Sequence, residues 1–225
     1  MKTRIRNLLA ASLLAALSSL SHASLSFGSN LVVNGDAEAG TANWLTYDSY
    51  STIQSVSYGN NWVKPSEPGP GKRGSKMFTG TGAYAVAYQM LNLGGPSTQA
   101  LNYSLSGWLG GWAAQGDNAL FYVSFLGDDG SEIGNASIGP VTSAERRNTT
   151  GLWYRETLGL LPVGTSSLGF WLSMERQGGG DNDGYADNLA FVLQAPAQVP
   201  EPASLALLSL SLGLLALQRR RASHS

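Results

Sequence analysis

The sequence has no cysteine and only two histidines, His22 and His224, near the two ends of its 225 residues. Without cysteine the chain forms no disulfide, so the core alone must stabilise the fold. Both histidines lie in terminal segments with the composition of removable targeting signals, so the body has neither imidazole nor thiol. This excludes Ser-His-Asp and Cys-His catalytic sites and typical zinc sites. Carboxylates, lysine and tyrosine remain for catalysis, and carboxylates and carbonyls, which suit calcium, remain for metal binding.

Charged side chains are also scarce, at 13% of the residues. Three of the 14 Lys and Arg residues lie before residue 24 and three after residue 218, and Glu201 is the one of the 15 acidic residues outside the body. Residues 24–195 therefore carry eight basic and fourteen acidic residues, a net charge of −6. An acidic body without a basic stripe excludes nucleic acid and anionic lipid as expected partners.

The first 23 residues have the pattern of a secretory signal peptide. Three basic residues, Lys2, Arg4 and Arg6, precede the apolar residues 8–20, and Ser21-His22-Ala23 follows them. This order predicts export and cleavage after Ala23. A first transmembrane helix is the alternative, but the apolar stretch is short for a bilayer and ends in small polar residues.

The last 30 residues contain a second apolar stretch, residues 203–217, which includes no charge. Its fifteen residues would form a helix of roughly 22 Å at about 1.5 Å per residue, which is short for a hydrocarbon layer of about 30 Å. The prolines of Val199-Pro200-Glu201-Pro202 mark a break before it, and Arg219-Arg220-Arg221 would stay on the cytoplasmic side. The alternative, a buried amphipathic helix, is disfavoured because the stretch has no polar face.

This order of features resembles the PEP-CTERM sorting signal of Gram-negative bacteria. The matching features are Pro200-Glu201-Pro202, the Leu-rich transmembrane helix and the terminal arginine cluster. The resemblance implies a precursor inserted in the inner membrane, whose tail is recognised and cut by an exosortase, a membrane protease-transpeptidase. It also implies a product at the cell surface or outside the cell. It does not indicate what the body does.

Residues 24–195 are predicted to form one all-β domain. Apolar residues recur at every second position, as in Leu168, Phe170, Leu172 and Met174, and in Phe121, Val123 and Phe125. Tyr103 and Leu105 are expected to face the same core. Turn sequences separate these segments, and Asp129-Gly130 predicts a hairpin. Many short strands at this spacing predict a β-sandwich.

Residues 58–76 contain three prolines, four glycines and four basic residues. This composition excludes a central strand. We expect a long surface loop, where recognition residues are often found. An ordered but inert crossover is the alternative.

Two stretches, residues 30–38 (NLVVNGDAE) and 182–191 (NDGYADNLAF), resemble the opening and closing strands of galactose-binding-like jelly-roll modules, which occur among carbohydrate-binding domains of secreted bacterial proteins. The resemblance implies a jelly-roll β-sandwich in which the two strands pair. Ala37 stands where phenylalanine is common in that family, so one core contact is expected to be missing.

In many such modules a structural calcium ion lies between the opening Glu and the closing Asp, which are Glu38 and Asp187 in this sequence. Carboxylates at neighbouring strand ends repel unless a cation or hydrogen bonds compensate them. Asp36 and nearby backbone carbonyls would complete the oxygen shell of calcium. The alternative is that Asp36 and Asp187 cap turns. Residues 178–184 have the composition of a calcium loop but lack its downstream Glu, so a mobile turn is expected there.

All six tryptophans lie in the body, and aromatic faces stack on sugar rings. Trp44, Trp108 and Trp153 are expected to pack in the core or at strand edges. Trp62 lies in the Pro/Gly loop, Trp112 in a glycine-rich segment with no evident apolar surroundings, and Trp171 out of phase with the core face of its strand. Trp62, Trp112 and Trp171 are therefore the candidate ligand-binding residues.

The expected function is non-catalytic binding of polysaccharide or extracellular matrix. A glycosidase needs two carboxylates across a cleft. The sequence offers five candidates, and no spacing singles out two of them: Asp117, Glu132, Glu145, Glu156 and Glu175. They are expected to be structural groups at the surface. The alternatives are a structural envelope or biofilm protein without a specific ligand and a carboxylate-dependent glycoside hydrolase. No cofactor other than calcium is expected.

Overall fold

The structure is a computed structural model that describes residues 26–195. The expected signal peptide and the expected C-terminal transmembrane helix lie outside the described residues, and the boundaries after residues 23 and 195 stay predictions. Within residues 26–195, no helix is long and apolar enough to cross a membrane.

Residues 26–195 form ten β-strands in two five-stranded antiparallel sheets. Sheet A has the order β2-β3-β10-β5-β8, and sheet B has the order β1-β4-β9-β6-β7. The strands of sheet A are β2 (Ile53–Ser57), β3 (Lys76–Gly80), β5 (Leu101–Gly111), β8 (Gly151–Leu161) and β10 (Asn182–Leu193). Those of sheet B are β1 (Leu45–Thr46), β4 (Tyr84–Asn92), β6 (Asn118–Leu126), β7 (Glu132–Ile138) and β9 (Ser167–Glu175). The predicted all-β sandwich is confirmed.

The core lies between the two sheets and follows the predicted alternation. On β9, the four predicted core residues are fully buried, whereas Trp171 and Ser173 are partly exposed. Phe121, Val123 and Phe125 of β6 face them across the register and are also buried. Truncating one such phenylalanine to alanine costs about 3–5 kcal/mol because a cavity replaces the ring.

The predicted hairpin is confirmed between β6 and β7. Gly130 has a φ of 76°, which the turn requires and which glycine adopts without strain. Gly127 N–H donates to the carbonyl of Ser131 at 2.9 Å and closes the turn.

The opening stretch lies beside β10, as expected, but it does not form the regular strand that the resemblance implies. Leu31 N–H donates to the carbonyl of Phe191 and Leu189 N–H to that of Gly35, at 2.8 and 2.9 Å. Between these contacts the chain turns, because Asn34 and Ala37 have φ values of 51° and 59°, which lie outside regular strand geometry. Gly35 approaches β10 so closely that a Cβ atom there would lie 2.1 Å from the carbonyl oxygen of Leu189.

The long loop is confirmed for residues 58–75, and Lys76 begins β3. The loop covers part of the outer face of sheet A, the face turned away from the core. A second apolar cluster forms there from four buried residues that come from the loop and three strands: Val63, Met77, Leu152 and Tyr185.

Candidate functional site

The outer face of sheet B carries a continuous group of aromatic side chains, which we call the aromatic face. Its members are Tyr47, Tyr50, Tyr84, Tyr88 and Trp171. On β4, buried Ala85 and Ala87 alternate with Tyr84 and Tyr88, so the tyrosines point away from the core. Tyr88 lies directly opposite Trp171 of β9 in the sheet register.

The rings of the aromatic face contact one another in sequence. Tyr88 stacks on Trp171 with 5.1 Å between ring centroids and 25° between planes, and Tyr47 meets Trp171 edge-on at 5.2 Å. Tyr47 in turn stacks on Tyr50 at 5.9 Å, and Tyr50 contacts Tyr84 at 5.3 Å. Aromatic pairs at these separations hold one another in place. The five rings therefore form one preorganised surface.

This surface is open to solvent. Tyr47, Tyr50 and Tyr84 are each about two-fifths exposed, and Leu45 and Met90 beside them are more than half exposed. Contiguous apolar surface on a soluble domain commonly marks a binding site.

Polar groups border the aromatic face on its β6 side. Tyr122 lies opposite Trp171 in the register of β6 and β9, and its hydroxyl donates to Oε1 of Glu132 at 2.7 Å. Asn135 Nδ2 donates to the same oxygen at 2.7 Å. The hydrogen bond from Tyr122 is the main reason that the pKa of Glu132 lies below its ordinary value. The border therefore offers a carboxylate, a phenol and an amide as hydrogen-bonding groups.

Sequence reasoning found Trp171 but not the four tyrosines. In the sequence of β4, Tyr84, Val86, Tyr88 and Met90 alternate with Ala85, Ala87 and Gln89, and the face with the tyrosines is the more apolar of the two by composition. The core nevertheless contains Ala85 and Ala87, and the larger tyrosines lie on the outer face. Tyr47 and Tyr50 lie between β1 and β2, where no periodicity marks them.

Trp62 and Trp112 lie on sheet A, apart from Trp171. Both are half-buried and pack against the second apolar cluster, and Trp62 meets Tyr185 edge-on with centroids 6.2 Å apart. The expectation that Trp112 has no apolar surroundings is wrong, because the loop and β8 supply them from distant parts of the sequence. Their roles as ligand-binding residues stay predictions.

The other three tryptophans pack as expected. Trp44 is buried between Phe78 and Phe121, with centroids 5.8 and 6.5 Å away. Trp153 packs against the main core, and Trp108 packs against the second apolar cluster.

The candidate calcium ligands accept hydrogen bonds from the protein. Glu38 accepts from the N–H groups of Ser75 and Lys76 at 2.7 and 2.8 Å and from the Ser75 hydroxyl at 2.7 Å. The Ser75 hydroxyl contributes most to a pKa of Glu38 below its ordinary value. Asp36 Oδ1 accepts one long hydrogen bond, 3.4 Å, from Glu38 N–H. This contact is of the turn-capping kind, which is the alternative to calcium binding for Asp36.

Asp187 is fully buried on the outer side of sheet A. Its Oδ2 accepts from the Tyr58 hydroxyl at 2.6 Å, and its Oδ1 accepts from Asn188 N–H at 2.7 Å. Burial raises the pKa of Asp187 to about 7, and the charges of Asp36 and Glu38 add to the rise. Asp36 and Glu38 are therefore near enough to disfavour the charged form of Asp187. Within residues 26–195, however, no three acidic, histidine or cysteine side chains are grouped closely enough to hold a metal.

A polar cleft of about 350 Å³ lies between the opening turns and β10. Asp36 lines it together with Asn30, Asn34 and Asn188. Oxygen atoms of this kind suit a hard cation. The calcium assignment stays a prediction.

The segment after β9 is held by a buried carboxylate that sequence analysis assigned to the surface. Asp117 is fully buried, and its oxygens accept from the N–H groups of Gln177, Gly178 and Asp183 at 2.7, 2.8 and 2.9 Å. The surface assignment of Asp117 is therefore wrong. The predicted turn over residues 178–184 is also too long, because Asn182 begins β10.

Arg146 is the second unexpected buried charge. Its guanidinium donates to the carbonyls of Val141, Trp112, Ala113 and Gln115 at 3.0 to 3.4 Å. Burial lowers the pKa of Arg146, and the charges of its neighbours Tyr185 and Asp117 oppose the shift. Arg146 thereby fixes the backbone that carries Trp112.

The remaining candidate acids each hydrogen-bond to a neighbouring group. Glu145 forms a 2.8 Å ion pair with Arg155, Glu156 accepts from the Ser104 hydroxyl at 2.7 Å, and Glu175 accepts from Gln177 Nε2 at 3.3 Å. These contacts describe structural roles for the three carboxylates.

Comparison with known proteins identifies the C-terminal segment. Residues 198–222 match the model of the PEP-CTERM protein-sorting motif, which confirms the resemblance noted from Pro200-Glu201-Pro202 and the arginines. The motif indicates an exported protein that is processed at the membrane by an exosortase. No curated protein matches the sequence.

The body is similar in fold to several solved structures. The enzymatically active domain of tailspike protein 4 from bacteriophage CBA120 matches with a TM-score of 0.50 and 13% identity over 73% of this chain and 21% of that one. The chain thus spans about a fifth of that protein. TmCBM61, solved with β-1,4-galactotriose, matches with a TM-score of 0.45 and 18% identity over 74% of this chain and 100% of that one.

The CBM22-1 xylan-binding domain of Xyn10C from Paenibacillus barcinonensis gives a TM-score of 0.42 and 14% identity over 77% of this chain and 100% of that one. At such identities the likeness concerns the fold alone. The chain thus combines a PEP-CTERM sorting motif with a β-sandwich body of two five-stranded antiparallel sheets.

Proposed function

We propose that this chain is a non-catalytic surface or extracellular-matrix protein that binds carbohydrate through the aromatic face of sheet B. The observation that carries the proposal is the preorganised group of five aromatic rings, three of which are about two-fifths exposed. The apolar faces of sugar rings stack on such side chains, and polar groups at the border bind the hydroxyls. Tyr122, Glu132 and Asn135 are placed to do so.

Charge narrows the class of ligand. The body carries a net charge of −6, and Glu132 lies at the border of the aromatic face. Acidic polysaccharides would be repelled at this surface. We therefore propose neutral polysaccharides as ligands. The galactotriose and xylan named for two of the similar structures make β-1,4-galactan and xylan the first two to test.

The second candidate surface is the outer face of sheet A. Trp62 and Trp112, which the sequence singles out, lie there beside Tyr185. Both indoles already pack against buried residues, so less of each ring is available to a ligand than on the aromatic face.

Retention on insoluble neutral polysaccharides tests the proposal. Trp171→Ala and Tyr88→Ala should abolish retention, and Trp62→Ala and Trp112→Ala should not. Trp171→Phe, which keeps an aromatic ring, should retain partial binding. The melting temperature of each variant separates lost binding from lost folding.

Three outcomes would change the assignment. If only the Trp62 and Trp112 variants lost retention, the site would move to sheet A. If the wild-type protein bound no neutral glycan on an array, the alternative of a structural protein without a specific ligand would replace the proposal. Hydrolysis of a glycan that one carboxylate substitution abolished would make the protein an enzyme.

A further inference from the structure

Strand β8 (Gly151–Leu161) is a long outer strand of sheet A. Within residues 26–195 it pairs with β5 on one side and with no strand on the other. The outer strands β1 and β2 have two and five residues, and β7 has seven with a register shift, whereas β8 has eleven without a shift. Proteins usually keep exposed edges short, bulged or charged, because an open edge pairs with other chains.

The open part of this edge extends from residue 154 to residue 160. Leu152 N–H turns away from β5 and donates to the carbonyl of Pro68 at 2.9 Å. Because β8 pairs with β5 without interruption, alternation turns the N–H and C=O groups of residues 154, 156, 158 and 160 the same way. Pro68 ends the open segment on one side, and Pro162, which has no N–H, ends it on the other.

The side chains of these four residues also lie on one face, the outer face of sheet A. Three of them are apolar and exposed, with relative exposures of 47% for Tyr154, 68% for Leu158 and 59% for Leu160. An open edge lined by exposed apolar side chains is a favourable surface for strand addition.

We propose that β8 pairs antiparallel with β8 of a second copy of this chain, with the two-fold axis at Thr157. Thr157 is the midpoint of the open segment, so this register uses all the peptide groups of that segment. One of them, the carbonyl of Tyr154, accepts from the Arg155 guanidinium at 3.1 Å, and the second copy replaces this side-chain donor with a backbone N–H. It places Glu156 opposite Leu158 of the second copy and Tyr154 opposite its Leu160. Four such pairs supply about eight backbone hydrogen bonds. Each tyrosine gains an aliphatic cross-strand neighbour, which stabilises antiparallel pairs.

Neighbouring registers are poorer. Centring the pair on Glu156 places two glutamates opposite each other, and like charges there destabilise a sheet. Centring it on Leu158 places Tyr154 opposite Pro162, which cannot donate. If the two-fold axis lay between two residues, each outer-face residue of one copy would be directly opposite an inner-face residue of the other. The geometry therefore selects one register.

The two-fold axis of such a pair runs perpendicular to the sheet, so the aromatic faces of both copies point to the same side. This consequence depends on the proposed function: if the aromatic face binds glycan, the dimer is bivalent and gains avidity on a polysaccharide. The pairing itself does not depend on glycan, so its test is carried out without one.

The absence of cysteine makes the test direct. Facing residues at a non-hydrogen-bonded antiparallel position have Cα atoms about 4.5 Å apart, within the range of about 4.4–6.8 Å that a disulfide spans. Single-cysteine variants of the full chain, exported from a bacterial host, are oxidised mildly in intact cells and separated on non-reducing gels. Thr157→Cys should give the dominant disulfide-linked dimer.

Asn135→Cys, at an exposed position on the outer strand β7, is the matched control and should stay monomeric. The proposal would be overturned if Asn135→Cys gave as much disulfide-linked dimer as Thr157→Cys. It would also be overturned if Glu156→Cys or Leu158→Cys gave more. The absence of a dimer in every variant would overturn it as well.

Two second-site variants test the backbone pairing in the Thr157→Cys background. Leu158→Pro removes an N–H that points to the open edge and leaves the pairing with β5 intact, so the cross-linked dimer should be lost. Leu158→Lys keeps the N–H and places a cation opposite Glu156 of the second copy, so the dimer should persist. The proposed register would be contradicted if both variants lost the dimer or if both kept it. The amount of exported monomer reports the folding of each variant.

Discussion

The hydroxyl of Tyr58 donates a 2.6 Å hydrogen bond to Oδ2 of Asp187 and so ties the first residue of the long loop to the closing strand of sheet A. Burial raises the pKa of the tyrosine, and the charge of Asp187 adds to the rise. The guanidinium carbon of Arg73 lies 5.1 Å from the centre of the Tyr58 ring, from the other end of the same loop. The Tyr58–Asp187 pair thus fastens the loop to the sandwich.

Tyr58→Phe should destabilise the protein by about 1–3 kcal/mol at pH 8, because it leaves a buried carboxylate oxygen without its donor. Urea unfolding measures the change. Tyr122→Phe is the control, since its hydroxyl bonds to the exposed Glu132, and it should change the free energy of unfolding by less than Tyr58→Phe does. Equal effects of the two substitutions would show that the Tyr58–Asp187 bond does not stabilise the fold.

Asp187 should make stability fall as the pH rises. Its pKa is about 7 in the folded protein, compared with 3.8 as the ordinary value, so the folded state binds the proton more tightly than the unfolded state. The favourable contribution is complete below about pH 4 and is lost as the pH approaches 7. A shift of this size corresponds to at most about 4 kcal/mol.

The measurement is the difference in unfolding free energy between the wild-type protein and Asp187→Asn in the presence of chelator. Asparagine does not titrate, so the wild-type protein should lose stability relative to the variant between pH 4 and pH 7. Carboxylates that do not interact with Asp187 contribute equally to both proteins and cancel. A difference that stays constant with pH would show that Asp187 is ionised throughout this range.

Calcium should raise the melting temperature if the predicted site at Asp36, Glu38 and Asp187 is correct. A cation would relieve the repulsion among these carboxylates and stabilise the folded state by mass action. Asp36→Asn gives the sharpest test, because Asp36 accepts only one long hydrogen bond and its loss disturbs little else. The variant should lose the calcium response and keep its metal-free melting temperature. Asp48→Asn is the control, because Asp48 is exposed and does not line the cleft with Asp36. A wild-type protein that does not respond to calcium or chelator would eliminate the site.

Much of the fold could be predicted because its signals are local. The alternation in β6 and β9 and the Asp129-Gly130 turn each lie within a few residues, and each is confirmed. The features that sequence analysis missed depend on contacts between distant residues. Trp112 packs against the second apolar cluster, whose members come from the loop and three strands, and Asp117 accepts from N–H groups some 60 residues away. The broken opening strand depends on a positive φ at Ala37, a conformation that alanine rarely adopts.

The buried guanidinium of Arg146 leads to the last prediction. Its planar fork donates to four carbonyls, three of which belong to the segment that carries Trp112. Lysine is a point charge with three donors on a flexible stem and cannot reproduce this geometry. Arg146→Lys should therefore destabilise the protein by about 1–3 kcal/mol, since buried carbonyls lose their donors.

Arg147 is the matched control, because it is the next residue and is exposed. Arg147→Lys keeps the charge and loses no buried contact, so urea unfolding should detect no change. Arg146→Lys should also speed proteolytic cleavage in residues 112–116, which Arg146 holds in place. If Arg146→Lys matched Arg147→Lys in both measurements, the carbonyl contacts of Arg146 would not stabilise this segment, and Trp112 would owe its position to packing alone.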